Sequence, residues 1–552
     1  MRWTRASVVL FGASVLSLVE AATAASTLKQ VVVISRHGVR GPYGLGTEIP
    51  TEETLKNYVR NPNVKLPLSA IEWGTSETED PNEIVSPKIT KHGYQLVKRM
   101  GDYFRSHLYK DFLDDSCDKV FAYADNNQRD NLTADAFIRG MYPKCPEVVP
   151  MTAQTRLLFE QGQDPTATCP VCSRTVYEGI TGANDTRYIV EENKELIAEV
   201  NDLLQCCAPA VCDASLSSSA AANTSNAQCS FFDIKPRWNG AFYLPWRDPL
   251  SESDYFTEWL MLQSLNNMSI PEELTFEKVI ALSKVHETHM DLVTNEVNSA
   301  NFGATLLAHV TASFQQTVQG KPLPLPSGEG PQLVQSMKNR FLYYAGHDIN
   351  ILYIRNLLRR LQWHTKGWHP HQPTPGGMII FELHSFQSPD HRRLLQTAEE
   401  LAMVDEHYVK AFFVTASPQQ MRFGEELDDS NPPDRVPLVI PMCSEEVEIG
   451  NNKTEVRCPF KTFKNLMGRS LKHECVADTL RPFIDSLNTV APTNPAPATS
   501  TQTQSAGPLT TLLWVAFVFV MCIFVAFLVR HYCRSRRHAK HMQKKEYGTL
   551  PQ

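Results

Sequence analysis

The sequence predicts an α/β protein: a central parallel or mixed sheet flanked by helices, with a smaller, mostly helical second domain and one transmembrane helix. Three observations carry this. Gln30-Val31-Val32-Val33-Ile34 is an unbroken run, β-branched at four of five positions, the mark of a strand buried on both faces. Further strand-like segments, Lys119–Ala124, Arg340–Ala345, Met378–Leu383 and Val409–Val414, are interspersed with helical spacing at Thr90–His107, Thr133–Gly140 and Asp348–Leu361. That alternation argues for a layered α/β sheet. Between about Pro143 and Pro331 helical patches such as Val190–Leu204 and Phe276–Val297 occur without strand signals.

The ends define the topology. Arg2 and Arg5 precede an apolar run from Ala6 to Val19 and small residues around Ala24, the pattern of a signal peptide over 1–24. Leu509–Val529 holds no charge and Arg530 follows at once, so 509–529 is expected to span a bilayer. The basic tail 530–552 then lies in the cytosol. Residues 488–508, rich in Thr, Pro, Ala and Ser, read as an extended stalk. The ectodomain is 25–487, with an α/β core at about 25–142 and 332–487 and a helical insertion at about 143–331. From Arg530 onward seven Arg or Lys face one acid, and in residues 1–25 two Arg face Glu20; the body therefore carries −14 of a net −7. A body this acidic argues against nucleic acid as a partner.

Sequons at Asn131, Asn184, Asn223, Asn267 and Asn452 and 13 cysteines fit an oxidising compartment. Cys522 and Cys533 fall in the span and tail, leaving eleven outside and at least one without an intramolecular partner. Cys169, Cys172, Cys206, Cys207, Cys212 and Cys229 suggest a disulfide-stapled region. Zinc at Cys169 and Cys172 lacks the second ligand pair such a site needs.

Chemistry is expected where strands end, because open α/β sheets bind ligands at the carboxyl ends of their strands. The first strand leads into Arg36-His37-Gly38-Val39-Arg40-Gly41-Pro42. Lys119–Ala124 is followed within five residues by Arg129, and Arg340–Ala345 runs into Gly346-His347-Asp348. One sheet edge then collects three guanidiniums, two imidazoles and a carboxylic acid. Guanidiniums suit phosphate, since a planar fork donates two hydrogen bonds and keeps its charge. An imidazole among them is held neutral and nucleophilic. Gly38 is expected to let an anion approach the backbone. No Gly-rich nucleotide loop or carboxylate cluster calls for a cofactor or metal. The parts fit phosphoryl transfer through a phosphohistidine.

At these residues the sequence resembles the histidine acid phosphatases, the secreted branch of the phosphoglycerate-mutase-like fold. Arg36-His37-Gly38-Val39-Arg40-Gly41-Pro42 matches that family's RHGxRxP motif and His347-Asp348 its HD motif. Weaker matches lie at Ile89–Gln95 and at Gln128-Arg129-Asp130 with Thr133–Gly140, although Asp130 stands where the family usually has Thr. The resemblance implies that His37 is the nucleophile, that Asp348 is the proton donor, and that Arg36, Arg40, Arg129 and His347 hold the phosphate. With its stalk, span and tail the chain is most similar to membrane-bound, lysosomal-type acid phosphatases. The alternatives are a phytase-like inositol polyphosphate phosphatase and an inactive receptor or adhesin on the same fold.

Two other signals are weaker. His286-Glu287-Thr288-His289 fails the zincin spacing and is expected to be a solvated helix face. Trp363-His364 through Trp368-His369-Pro370-His371 is expected to be a surface loop. The expected partners are phosphate monoesters, a membrane, a clathrin adaptor and a second copy of this chain. The adaptor expectation rests on Tyr547-Gly548-Thr549-Leu550, which can seat a ring and an aliphatic side chain in two pockets. Changing Tyr547 to Ala should move the protein from endosomal or lysosomal membranes to the cell surface, scored by microscopy; an unchanged distribution would leave the tail as a simple anchor.

Overall fold

The computed structural model describes residues 26–488 apart from 153–156, 158–167, 171, 213–228, 328–332, 387–406 and 450–452. The signal peptide, stalk, 509–529 span, tail, Asn223 and Asn452 therefore lie outside the described residues. Among the described residues no helix is long and apolar enough to cross a membrane.

The β-branched run forms the centre of β1 (Ser26–Arg36), which is followed by β2 (Val120–Ala124), β3 (Arg237–Trp238), β4 (Trp246–Arg247) and β5 (Phe341–Gly346). Then come β6 (Met378–Phe386), β7 (His407–Thr415), β8 (Asp434–Pro437), β9 (Glu445–Glu448) and β10 (Thr454–Pro459). The main sheet runs β2-β5-β1-β6-β7-β10-β9, with β8 also on β7. β2, β5 and β1 are mutually parallel, whereas β6 and β7 are antiparallel to their neighbours. The sheet is therefore mixed. The central region, expected without strands, contributes the short antiparallel pair β3-β4. Its two-residue strands, Arg237-Trp238 and Trp246-Arg247, are too short to give a periodic signal.

Alternation along β1 separates two layers. Val31 and Val33 face one apolar cluster and Val32 and Ile34 the other, all with no solvent exposure. On the first side lie helices Lys91–Tyr103 and Gln128–Met141, where Phe137 stacks on Tyr343 at 4.1 Å. On the second lie Glu296–Gln319, Asp348–Leu357 and Phe460–Ser470. Two of these helices start at side-chain caps: Thr90 accepts from Gly93 N–H, and Asn295 from Val297 and Asn298 N–H. Helices Lys194–Leu204 and Pro249–Leu265 bury residues such as Ile197, Phe256 and Trp259 in the same cluster as Val31 and Val33.

One expected surface proves buried. His286, Glu287 and His289, on helix Lys284–Val293, are 5%, 7% and 4% exposed rather than solvated, because a buried carboxylate partner, Asp254, engages both imidazoles. Trp363–His371 is a surface loop as expected, with His364, Lys366 and Pro370 exposed, but its two indoles anchor it inward: Trp363 stacks on Phe413 and Trp368 donates to the Ala416 carbonyl. Cys169 pairs with Cys475, Cys117 with Cys145, Cys206 with Cys207, Cys212 with Cys229 and Cys443 with Cys458. Among the described residues Cys172 is the free thiol.

Helices Lys91–Tyr103 and Gln128–Met141 cross at glycines. A Cβ on Gly140 would lie 1.9 Å from the Lys98 carbonyl oxygen, and one on Gly101 2.1 Å from that of Phe137. Backbone cannot yield as a side chain does, so Gly140→Ala should cost about 2 kcal/mol or more, read as a lowered denaturant midpoint; an unchanged midpoint would mean the crossing is loose.

Candidate active site

The parallel register of β1, β5 and β2 brings three distant segments to one line. Arg36 pairs with Gly346 in β5, and Ala345 lies opposite both Ser35 and Ala124. The next residues along each strand, His37, His347 and Asp125, therefore emerge side by side. His37 N–H donates to the Gly346 carbonyl at 2.7 Å, and the His37 and His347 rings meet edge to face at 5.8 Å. Helix Gln128–Met141 begins earlier than its spacing suggested and carries Arg129 in its first turn. Helix Asp348–Leu357 opens on Asp348, whose Oδ1 accepts from Ile349 N–H. All six expected site residues are buried: Arg36 0%, His37 3%, Arg40 4%, Arg129 6%, His347 2% and Asp348 6% exposed.

Each side chain is oriented by a specific partner. His37 Nδ1 donates to its neighbour's carbonyl, Gly38 O, at 2.9 Å. Burial, then the positive charges of Arg129, Arg36 and Arg40, hold its ring well below the ordinary value. With the proton on Nδ1 and the ring neutral, Nε2 carries the lone pair. His347 Nε2 donates to Asp125 Oδ2 at 2.8 Å, turning Nδ1 toward Arg129 Nη2 at 3.5 Å. Burial would raise the Asp125 carboxyl, but hydrogen bonds from His347, Asn126 and Asn127 take it below the usual range. Arg36 Nη2 lies 2.9 Å from Asp348 Oδ2, and Nη1 donates to the Pro373 carbonyl at 2.7 Å. Tyr43 offers its ring to Arg40 at 4.6 Å and to Arg129 at 5.6 Å.

The reason expected for Gly38 is corrected. A Cβ there would sit 2.9 Å from Val97 Cγ2 and 3.1 Å from Ile89 Cδ1, so its bareness admits the packed helix Lys91–Tyr103, not an anion. Gly38 N–H donates instead to Thr133 Oγ1 at 2.9 Å. Thr133 is the hydroxyl residue of the Asn131 sequon and is fully buried, whereas Asn184 and Asn267 are exposed.

Sequence reasoning missed Glu258, whose Oε1 lies 2.7 Å from Arg40 Nη2 and 3.5 Å from Arg36 Nη2. It also missed Asp125, Thr133 and Tyr43. An acidic residue inside the apolar helix Pro249–Leu265 was the available signal for Glu258. Asp125, Asp130 and His347 cluster closely enough to hold a metal ion, but His347 Nε2 already donates to Asp125 and Arg129 stands within the same group.

The family model of the histidine phosphatase superfamily (branch 2) matches residues 27–414. The chain belongs to that superfamily, and membership supports a phosphatase acting on phosphoric monoesters. Phytase AppA of Escherichia coli K12 is 24% identical over 434 residues, covering 76% of this chain and 87% of that protein. Among solved structures, Hafnia alvei phytase in complex with myo-inositol hexakis sulphate aligns with a TM-score of 0.58 at 21% identity. It covers 82% of this chain and 98% of its own. Citrobacter braakii phytase aligns with a TM-score of 0.58 at 20% identity over 82% and 99%. These structures share the fold.

The depressed imidazole makes a prediction with a definite sign. His37 stays neutral in the folded chain below its ordinary value of 6.5, whereas the unfolded chain protonates there. Its contribution to stability is therefore present above that value and lost as pH falls toward the folded one. In a nitrogen-15 histidine NMR spectrum at about pH 6, His37 should show a neutral ring protonated at Nδ1; a charged ring would contradict the geometry.

Proposed function

We propose that the chain is an acid phosphatase that hydrolyses phosphate monoesters through a phosphohistidine at His37. One observation carries this reading: Arg36 Nε and Arg40 Nε are buried donors without a hydrogen-bond partner, beside a neutral imidazole. Buried N–H groups left unpaired are costly, and two on guanidiniums call for an anion.

In this reading the arginines and His347 bind the phosphate and offset the charge that spreads over its oxygens. His37 Nε2 attacks phosphorus, the ester P–O bond breaks, and Asp348 gives its proton to the leaving oxygen. Water then attacks the phosphohistidine and returns a proton to Asp348, releasing phosphate and the free imidazole. Burial would raise Asp348, but Arg36, His286 and His347 hold it below its ordinary value. The protonated donor is therefore favoured only in acid, and activity should fall steadily as pH rises toward neutrality.

A phytase-like reading is favoured by the relatives, which are themselves phytases. Faster hydrolysis of inositol hexakisphosphate than of simple esters would select it. We also propose that residues 509–529 anchor the enzyme in a membrane with its body outside the cytosol, because a charge-free stretch there is followed by the basic tail.

The chain should hydrolyse p-nitrophenyl phosphate in acid without added metal, and His37→Ala should abolish turnover. Asp348→Asn should slow esters of poor leaving groups about a hundred- to ten-thousandfold while sparing p-nitrophenyl phosphate. Equal losses across leaving groups would remove Asp348 from the donor role, and an inactive wild-type chain would favour the receptor alternative.

A further inference from the structure

One carboxylate oxygen beside the phosphate seat is approached by three cationic groups. Glu258 Oε1 lies 2.7 Å from Arg40 Nη2, 3.5 Å from Arg36 Nη2 and 3.6 Å from His286 Nε2. Its side chain is 12% exposed, more than either arginine. His286 is itself held from behind: its Nδ1 donates to Asp254 Oδ1 at 2.7 Å, and His289 Nδ1 donates to the other oxygen of Asp254. His286 Nε2 is buried without a hydrogen-bond partner.

The same two guanidiniums thus serve two anions. Glu258 takes their Nη2 ends, and the unpartnered Nε–H groups await the phosphate. A doubly charged phosphate there lies a guanidinium's width from the carboxylate, in a buried place where like charges are weakly screened. A shared proton relieves that repulsion. We propose that Glu258 is a binding residue that takes up one proton from solvent when a doubly charged phosphate ester or similar oxyanion occupies the seat, so that acid favours substrate binding as well as proton donation. Beyond this proton transfer from solvent to a carboxylate oxygen, no bond forms or breaks. This rests on the phosphate seat of the preceding section.

The groups facing Glu258 decide how the effect is isolated. From β1 and the loop after it come Arg36 and Arg40, charged throughout, and His37. Its own helix supplies Asp254, which burial would raise but the two imidazoles hold low, and Tyr255, which burial keeps neutral. From helix Lys284–Val293 come His286, His289 and Glu287. Burial lowers His286, but Asp254 and Glu258 outweigh it and push it up to about 10, so it stays a cation. Burial pushes Glu287 up to about 7, which makes it the rival proton acceptor. Asp348, 2.9 Å from the same Arg36 Nη2, is the second rival, and a proton taken up there would survive Glu258→Gln.

Sulfate, a dianion across the working range, is the probe, so every proton taken up belongs to the protein. Calorimetry on the detergent-solubilised full chain, in buffers of different ionisation enthalpy, counts those protons. Glu258→Gln keeps the shape and should bind sulfate with about one proton fewer than wild type. Its affinity should be nearly flat with pH, and at pH 7 about tenfold or more tighter than wild type, whose affinity falls about tenfold per unit. With aryl phosphates the variant should lower KM near neutrality and leave the pH dependence of kcat unchanged. Glu287→Gln should keep the wild-type proton count. In wild type, sulfate should raise an infrared band of a protonated carboxyl, a test independent of how the variants fold. An unchanged proton count in Glu258→Gln would overturn the proposal, as would sulfate binding weakened equally at every pH, the behaviour of a mere clamp. Wild-type chain that neither binds sulfate nor cleaves aryl phosphates would instead sink the phosphatase reading.

Discussion

The Arg36 guanidinium carries a permanent charge at a position with no solvent exposure, and burying such a charge is costly unless it is paired and hydrogen-bonded. Its compensation organises the site. The Pro373 carbonyl takes one end, Asp348 and Glu258 share Nη2, and Nε is left over. Those partners come from three parts of the chain: the loop before β6, the helix after β5, and a helix of the central region. The edge of the parallel strands is where they can meet. The same arrangement that neutralises the charge leaves one buried donor, Nε, without a hydrogen-bond partner.

Two histidines show how neighbours decide a protonation state. His37 and His286 are both buried. Around His37 stand Arg129, Arg36 and Arg40, and the ring is held neutral. Around His286 stand Asp254 and Glu258, and the ring is held charged. Burial acts against charge in both, so the local charges make the difference. A neutral imidazole and a cationic one are thereby built from one residue type.

Much of this was legible in the sequence, and the parts that were not share a cause. The β-branched run of β1 and the residues at the ends of β1 and β5 are contiguous signals, and a parallel register carries them to one edge. Arg129 needed only the neighbouring strand. Glu258 lies 222 residues from Arg36 in a helix whose apolar residues dominate, so nothing local announces its partner. His286 and His289 looked solvated because a polar pair on a helix usually is; Asp254, more than thirty residues earlier, reverses that. Gly38 was read for its freedom toward a ligand, while the structure uses it for the close approach of Val97 and Ile89. Long-range pairing, not local pattern, separates what could be read from what could not.

The central claim is a covalent step at His37, and trapping tests it most directly. Wild-type chain mixed with phosphorus-32-labelled phosphate monoester in acid and quenched within a turnover should hold label on one histidine-containing peptide spanning His37. That label should be stable in alkali and lost in acid, as a phosphoramidate requires, and His37→Ala should hold none. Rapid hydrolysis with no protein-bound label at any quench time, or label on a serine or aspartate, would contradict the account.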